Sequence, residues 1–171
     1  MRLSIGQWQV RSFHPDDAEA LARNANNHNV SRNMRDTFPY PYALSDAREW
    51  IEFATSQSPE TNFAIASDTE LIGGIGITLQ SDVNRRSAEI GYWLGEPHWG
   101  QGIATAALTA MTDWAFAEFN LVRLYGEVFE WNPASGRVLE KAGYKLEGRL
   151  RKSIVKDEQI IDALLYANVR D

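Results

Sequence analysis

Apolar and polar positions alternate over 7–13, QWQVRSF, and predict a strand. The next segment, HPDDAEALARNAN, opens a helix at His14 or Pro15. Asp16 and Asp17 in its first turn suit the positive end of a helix dipole. TFPYPY at 37–42 is an extended, proline-locked loop. Ser45 is expected to cap a helix over LSDAREWIEFATSQ. NFAIAS and ELIGGIGITLQ predict two strands joined by the turn SDTE, and SAEIGYWLG at 87–95 predicts a more apolar, central strand.

Residues 103–118 have helical spacing, with Ala107, Leu108, Met111, Trp114 and Ala115 on one face. LVRLYGEVF at 121–129 predicts a strand. NPASGRVLEKAG at 132–143 is a punctuated helix: Asn132 caps it, Pro133 opens it and Gly143 stops it. YKLEGRL and QIIDALLYANV close the chain as strands. No linker, repeat or low-complexity stretch interrupts the order, so one mixed α/β domain over 1–171 is expected.

Composition narrows the chemistry. There is no cysteine, which removes disulfides, cysteine-ligated zinc and a cysteine nucleophile and suits a reducing compartment. The N-terminal residues hold no long apolar run, and no segment approaches the ~18 apolar residues of a membrane span. A cytoplasmic protein with no membrane association is expected. Net charge is −6, opposite in sign to a general nucleic-acid binder. The basic stretch GRLRKSIVK at 148–156 is expected to be a solvated hairpin face. No clustered ligand spacing points to a metal. Three histidines are present, none in a nucleophile turn, and His98 is a lone loop histidine.

The most informative stretch is WGQGIATAAL at 99–108. A strand leads into it and a helix leaves it, and a helix start offers free N–H donors and a positive dipole end. Gly100 and Gly102 would let backbone wrap a phosphate, or would simply make a helix-start turn. The dinucleotide fingerprint fails at Thr105, and no Gly-Lys-Ser/Thr follows for a nucleoside triphosphate. IGGIGI at 72–77 sits inside a strand pattern and reads as a bulge or a close backbone approach.

The strand EIGYWL, the loop WGQGIATAAL and, 28 residues past Ala104, NPASGRVLEKAGYKLEG together resemble the GNAT superfamily of N-acetyltransferases. The likeness is nearest to the RimJ/RimL-like branch, which acts on ribosomal-protein N-terminal alanine. It runs from about Val10 to Val169. In the superfamily signature Gln/Arg-x-x-Gly-x-Gly/Ala, Gly102 and Ala104 fill the last two places, and Trp99 departs from the first. The resemblance implies an α/β (α+β) fold with a mixed, mostly antiparallel sheet, helices on both faces and a splayed central strand pair. It implies acetyl-coenzyme A as co-substrate and no metal. The pantetheine arm would pair with backbone of Trp93 and Leu94, unless these are core packing. Gly100, Gln101, Gly102, Ile103, Ala104 and Thr105 would hold the pyrophosphate, with Asn132 nearby or only a helix cap.

The implied reaction moves an acetyl group to a primary amine, such as the N-terminal α-amine of a ribosomal protein, by direct transfer in a ternary complex. An α-amine of pKa about 7.8 is roughly one part in ten neutral at pH 7, so one weak base suffices. Glu89 is the candidate base, or a rim charge paired with Arg85 or Arg86. Many relatives carry Tyr seven residues after the motif asparagine, where this chain has Leu139. The alanine-acetylating branch carries Ser three after it, Ser135 here. Ser135 would hydrogen-bond the leaving sulfur, or serve the helix cap. A hairpin carboxylate of some relatives is Ile154 here. Met34, Phe38, Tyr40 and Tyr42 would wall the acceptor pocket. The alternatives are an aminoglycoside or polyamine acetyltransferase and a coenzyme-A-binding module without catalysis. A monomer or a homodimer is compatible with all of these.

Overall fold

The computed structural model describes residues 1–171. Eight strands build one sheet: β1 (Arg2–Ile5), β2 (Trp8–Arg11), β3 (Asn62–Ala66), β4 (Leu71–Leu79), β5 (Ser87–Leu94), β6 (Arg123–Phe129), β7 (Lys145–Lys156) and β8 (Gln159–Val169). Their order across the sheet is β1-β2-β3-β4-β5-β6-β8-β7. The α-helices are α1 (Ala18–Ala25), α2 (His28–Ser31), α3 (Leu44–Ser56), α4 (Ile103–Phe119) and α5 (Pro133–Lys141). All neighbouring strands run antiparallel except β5 and β6, which are parallel. A parallel neighbour needs a crossover, and α4 makes it.

Alternating side chains bury both faces of the sheet. On one face Val10, Phe63, Ile75, Ile77, Ala88, Ile90 and Leu124 pack against Ile103, Ala107, Leu108, Met111 and Ala115 of α4 and Leu139 of α5. On the other, Ala64 and Leu71 meet Leu21 and Ala25 of α1 and Ala47, Ile51 and Ala54 of α3. The expected fold, with helices on both faces, is the one observed. No helix is long and apolar enough to cross a membrane.

Two local features depart from expectation, and the glycines of β4 behave as expected. The first strand of the sheet, β1, pairs Arg2–Ile5 with β2, and the short α2 follows α1; neither has a resolvable periodicity at four residues. Ser45 is not the cap of α3. The helix begins at Leu44, Ala43 is its N-cap residue, and Asp46 accepts the Ala43 N–H at 2.7 Å, so the carboxylate three residues in does the capping. In β4, Ile65 faces Gly73 while Ala66 faces Leu71, leaving Ile72 as the bulged residue. A Cβ at Gly73 would strike the Trp93 carbonyl oxygen, and one at Gly74 would lie 2.8 Å from the Trp93 indole nitrogen. The glycines there serve close approach by β5, not a phosphate.

β7 and β8 form a long hairpin whose turn residues, Asp157 and Glu158, have φ of 48° and 61°. The basic stretch 148–156 lies along this edge with Arg149, Arg151 and Lys152 exposed, and Arg149 is paired to Glu130 and Asp162.

Candidate active site

Gly100 and Gly102 adopt φ of +74° and +78°, the left-handed region open to glycine, and the Cβ position of each faces open space. Gly102 is the N-cap of α4, and its carbonyl takes the first helical bond, from the Ala106 N–H at 3.0 Å. The N–H groups of residues 100 to 105 have no acceptor in the protein. Six free donors converge at the positive end of a seventeen-residue helix, an arrangement that suits a phosphate or pyrophosphate. The approach is fixed by a 3₁₀ turn at Glu96–His98. Trp99 then folds back so that its indole N–H donates to the Leu94 carbonyl at 2.9 Å. The departure from the signature at Trp99 therefore has a structural use: it pins the glycine loop to the end of β5.

β5 and β6 pair only at Ser87–Arg123, Ala88–Leu124 and Glu89–Tyr125. Beyond Glu89 the strands diverge. Antiparallel strands alternate the direction of their hydrogen-bonding groups, and the Gly95 N–H donates to the Ile72 carbonyl at 2.9 Å. With Leu94 opposite Gly73 and Trp93 opposite Gly74, the Trp93 main chain points at β4, while those of Tyr92 and Leu94 point into the gap beside β6. The Trp93 main chain, expected to face the gap, is therefore turned to β4, whereas those of Leu94 and Tyr92 face the gap and the Leu94 carbonyl is engaged by Trp99. Trp93 instead turns its side chain to the opposite face, where Phe38 packs edge-on against it at 5.5 Å.

Tyr92 lies on the α4–α5 face, and its ring crosses to the start of α5. Its hydroxyl lies 2.8 Å from Ser135 Oγ and 3.2 Å from the Ser135 carbonyl oxygen. Burial pushes the Tyr92 phenol up to about 12, with the Ser135 hydrogen bond opposing, so the group is a neutral donor near pH 7. Asn132 caps α5 by accepting the Ser135 N–H at 3.4 Å. Ser135 thus holds two relationships: its amide serves the cap, and its hydroxyl is free to meet Tyr92. Sequence reasoning missed Tyr92, although its place two residues from Ile90 and Leu94 signals the same face. Leu139 is buried core.

Glu89 lies on the other face, with Trp93 and with Gly91 between them; a Cβ at Gly91 would meet nothing. Glu89 is ion-paired to Arg35, from the loop after α2. Arg85 and Arg86 do not reach it; Arg85 bonds the Asp82 carbonyl, and Arg86 bonds Asn120. Burial is the largest influence on the Glu89 carboxyl and raises it. Arg35 opposes that rise, and the charge of Glu127 adds to it. The loop 32–42 covers this face: Asn33 accepts the Trp131 indole N–H at 3.0 Å, and the Arg32 guanidinium stacks 5.0 Å from the Trp131 ring. Of the expected acceptor wall, Phe38 stands beside Trp93, Tyr42 is buried core, and Tyr40 is exposed beside His28. Met34 is half-buried in the same loop.

The site therefore has a donor-rich helix start leading into an opened strand pair, with a hydroxyl pair on one side and a carboxylate on the other. A family model described as an acetyltransferase (GNAT) domain matches residues 9–145. An uncharacterized N-acetyltransferase, p20, of Bacillus licheniformis is 29% identical over 164 residues, covering 92% of this chain and 90% of the relative. The ribosomal-protein-serine acetyltransferase of Escherichia coli (strain K12) is 37% identical over 109 residues, covering 64% of this chain and 60% of the relative. Among solved structures, Mycobacterium smegmatis RimJ in complex with CoA-disulfide superposes with a TM-score of 0.85 at 28% identity, covering 98% of this chain and 84% of that one. The chain belongs to the GNAT acetyltransferase family, and its likeness to a ribosomal-protein acetyltransferase and to RimJ supports a place in the RimJ/RimL-like branch.

Proposed function

We propose that this acetyltransferase moves the acetyl group of acetyl-coenzyme A to the N-terminal α-amine of a protein, by direct transfer in a ternary complex. The observation that carries the proposal is the run of six free N–H groups at the start of α4, a few residues along the chain from the end of β5, whose pairing with β6 stops at Glu89. The similarity to a ribosomal-protein-serine acetyltransferase supports a ribosomal protein as acceptor. Acetyl-coenzyme A supplies an activated acyl group with a thiol leaving group.

In this reading the amides of Gly100, Gln101, Gly102, Ile103, Ala104 and Thr105 hold the diphosphate. The Leu94 N–H and the Tyr92 main chain guide the pantetheine arm along the gap. The acceptor approaches from the Glu89 face, and the Gly91 position leaves it room. Glu89 takes the ammonium proton, directly or through a water, so that the amine attacks as the free base. The Tyr92–Ser135 pair meets the departing sulfur from the opposite face. Ser135 Oγ donates to it, and the Tyr92 hydroxyl supports Ser135 by donating in turn. The hydroxyl pair stabilises the departing thiolate by hydrogen bonding, and the proton that the nitrogen sheds as the amide forms neutralises the sulfur.

A second acceptor class, a small polycationic amine, has one observation in its favour: Glu127 lies near Glu89 and has no ion-pair partner. Thiol release from acetyl-coenzyme A, measured over a panel of amines at pH 7, tests the choice. The expected result is turnover fastest with peptides bearing a free N-terminus. Turnover only with polyamines or aminoglycosides would replace the acceptor. Tight coenzyme A binding without turnover on any amine would make the chain a binding module.

A further inference from the structure

The segment 26–43 links α1 to α3 and lies over the acceptor face. Its central helix, α2, has four residues, too few to persist without outside support. Asn27 caps it by accepting the Asn29 N–H at 2.8 Å. From outside, Glu96 Oε2 accepts Asn27 Nδ2 at 2.6 Å and Asn29 Nδ2 at 3.1 Å, and His28 Nε2 lies 3.4 Å from Asp157 of the β7–β8 turn. These two amides hold the Glu96 carboxyl below the usual carboxylate range. Glu96 is itself the first residue of the 3₁₀ turn that leads into Gly100 and Gly102. Internal bonds stiffen that turn: the His98 N–H donates to the Gly95 carbonyl at 3.0 Å, the Trp99 N–H to the Glu96 carbonyl at 3.1 Å, and Gln101 Nε2 to the Pro97 carbonyl at 3.3 Å. One side of the loop therefore presents free amides, while the other grips the start of α2. A few residues beyond α2, Asn33 meets Trp131 and Arg35 meets Glu89.

We propose that Glu96 is a positioning residue that couples coenzyme A binding at residues 100–105 to the order of the acceptor-side segment 27–35. The proposal rests on the phosphate site described above. A diphosphate seated on the loop restrains its backbone. Glu96 passes that restraint to Asn27 and Asn29, and α2 then fixes the loop that carries Arg35. Linkage is reciprocal, so an acceptor that orders 27–35 tightens coenzyme A by the same factor.

Hydrogen exchange on the full chain, with and without saturating coenzyme A, tests it. In the wild-type protein coenzyme A should slow exchange at both 100–106 and 27–35, the latter by about fivefold or more. In Glu96→Ala the 100–106 protection should persist and the coenzyme A Kd should stay within about threefold, while the slowing at 27–35 is lost. Glu96→Gln keeps one carbonyl acceptor and should restore part of it. Slowing at 27–35 that survives in Glu96→Ala would overturn the proposal. So would coenzyme A binding to the wild type with no slowing there. Failure of the wild type to bind coenzyme A at all would overturn the phosphate site as well.

Discussion

Gly102→Glu should lower coenzyme A affinity by about two orders of magnitude or more while the protein stays folded. The glycine has φ +78°, and the space beyond its Cβ position is open, so a new side chain would stand at the helix start, within a few ångströms of a diphosphate held there. A carboxylate there, about 5 Å from a bound diphosphate, is repelled by about 3 kcal/mol per phosphate charge at an effective dielectric near 20. It would also occupy the donors itself. The left-handed backbone adds about 1–2 kcal/mol of strain for any non-glycine residue. Gly102→Ala carries that same strain without the charge, so comparing the two by calorimetric titration separates backbone from electrostatics. Equal affinities for Gly102→Ala and Gly102→Glu would remove the diphosphate from this place.

Glu89→Gln should lower kcat/KM by about 10²–10⁴-fold, the range of a lost general base, and leave coenzyme A affinity unchanged. Its stability should move the other way. The folded protein raises the Glu89 carboxyl because burial disfavours the charged form, more than Arg35 favours it. A raised carboxyl contributes stability fully below its unfolded pKa, and that contribution is lost as pH rises through the folded value. At pH 7 the ionised side chain is thus a cost that glutamine removes. Arg35 is left without its partner, but its side chain is 65% exposed and water can replace the carboxylate. The thermal midpoint at pH 7 should therefore hold or rise while activity collapses. A variant equally stable and equally active would make Glu89 a rim charge after all.

Much of the site was legible because its signals are local. Glycines before an alanine-rich run mark a helix start whose amides lack partners, and Asn132, Pro133 and Gly143 bracket α5 within a dozen residues. Elements that failed to announce themselves were short or non-local. β1 and α2 are each four residues long, too short for a repeating pattern to stand out. The choice between Trp93 and Tyr92 as the residue opening its backbone to the gap depends on pairing parity. That parity is set by β4 on the far side of the strand. Arg35 and Glu89 lie 54 positions apart and Asn27 and Glu96 lie 69 apart, so no window along the chain contains either pair. Asp46 displaced Ser45 as the cap of α3 because a carboxylate three residues in can reach back to the N-cap amide, and either residue type fits the local pattern.

The most direct measurement is a crystal of the protein grown with coenzyme A. The diphosphate should lie within hydrogen-bond distance of amides among residues 100–105, its arm running between β5 and β6 beside Leu94 and its sulfur near Ser135 Oγ. A nucleotide seated elsewhere, or β5 and β6 closed into a continuous ladder beyond Glu89 and Tyr125, would contradict the account.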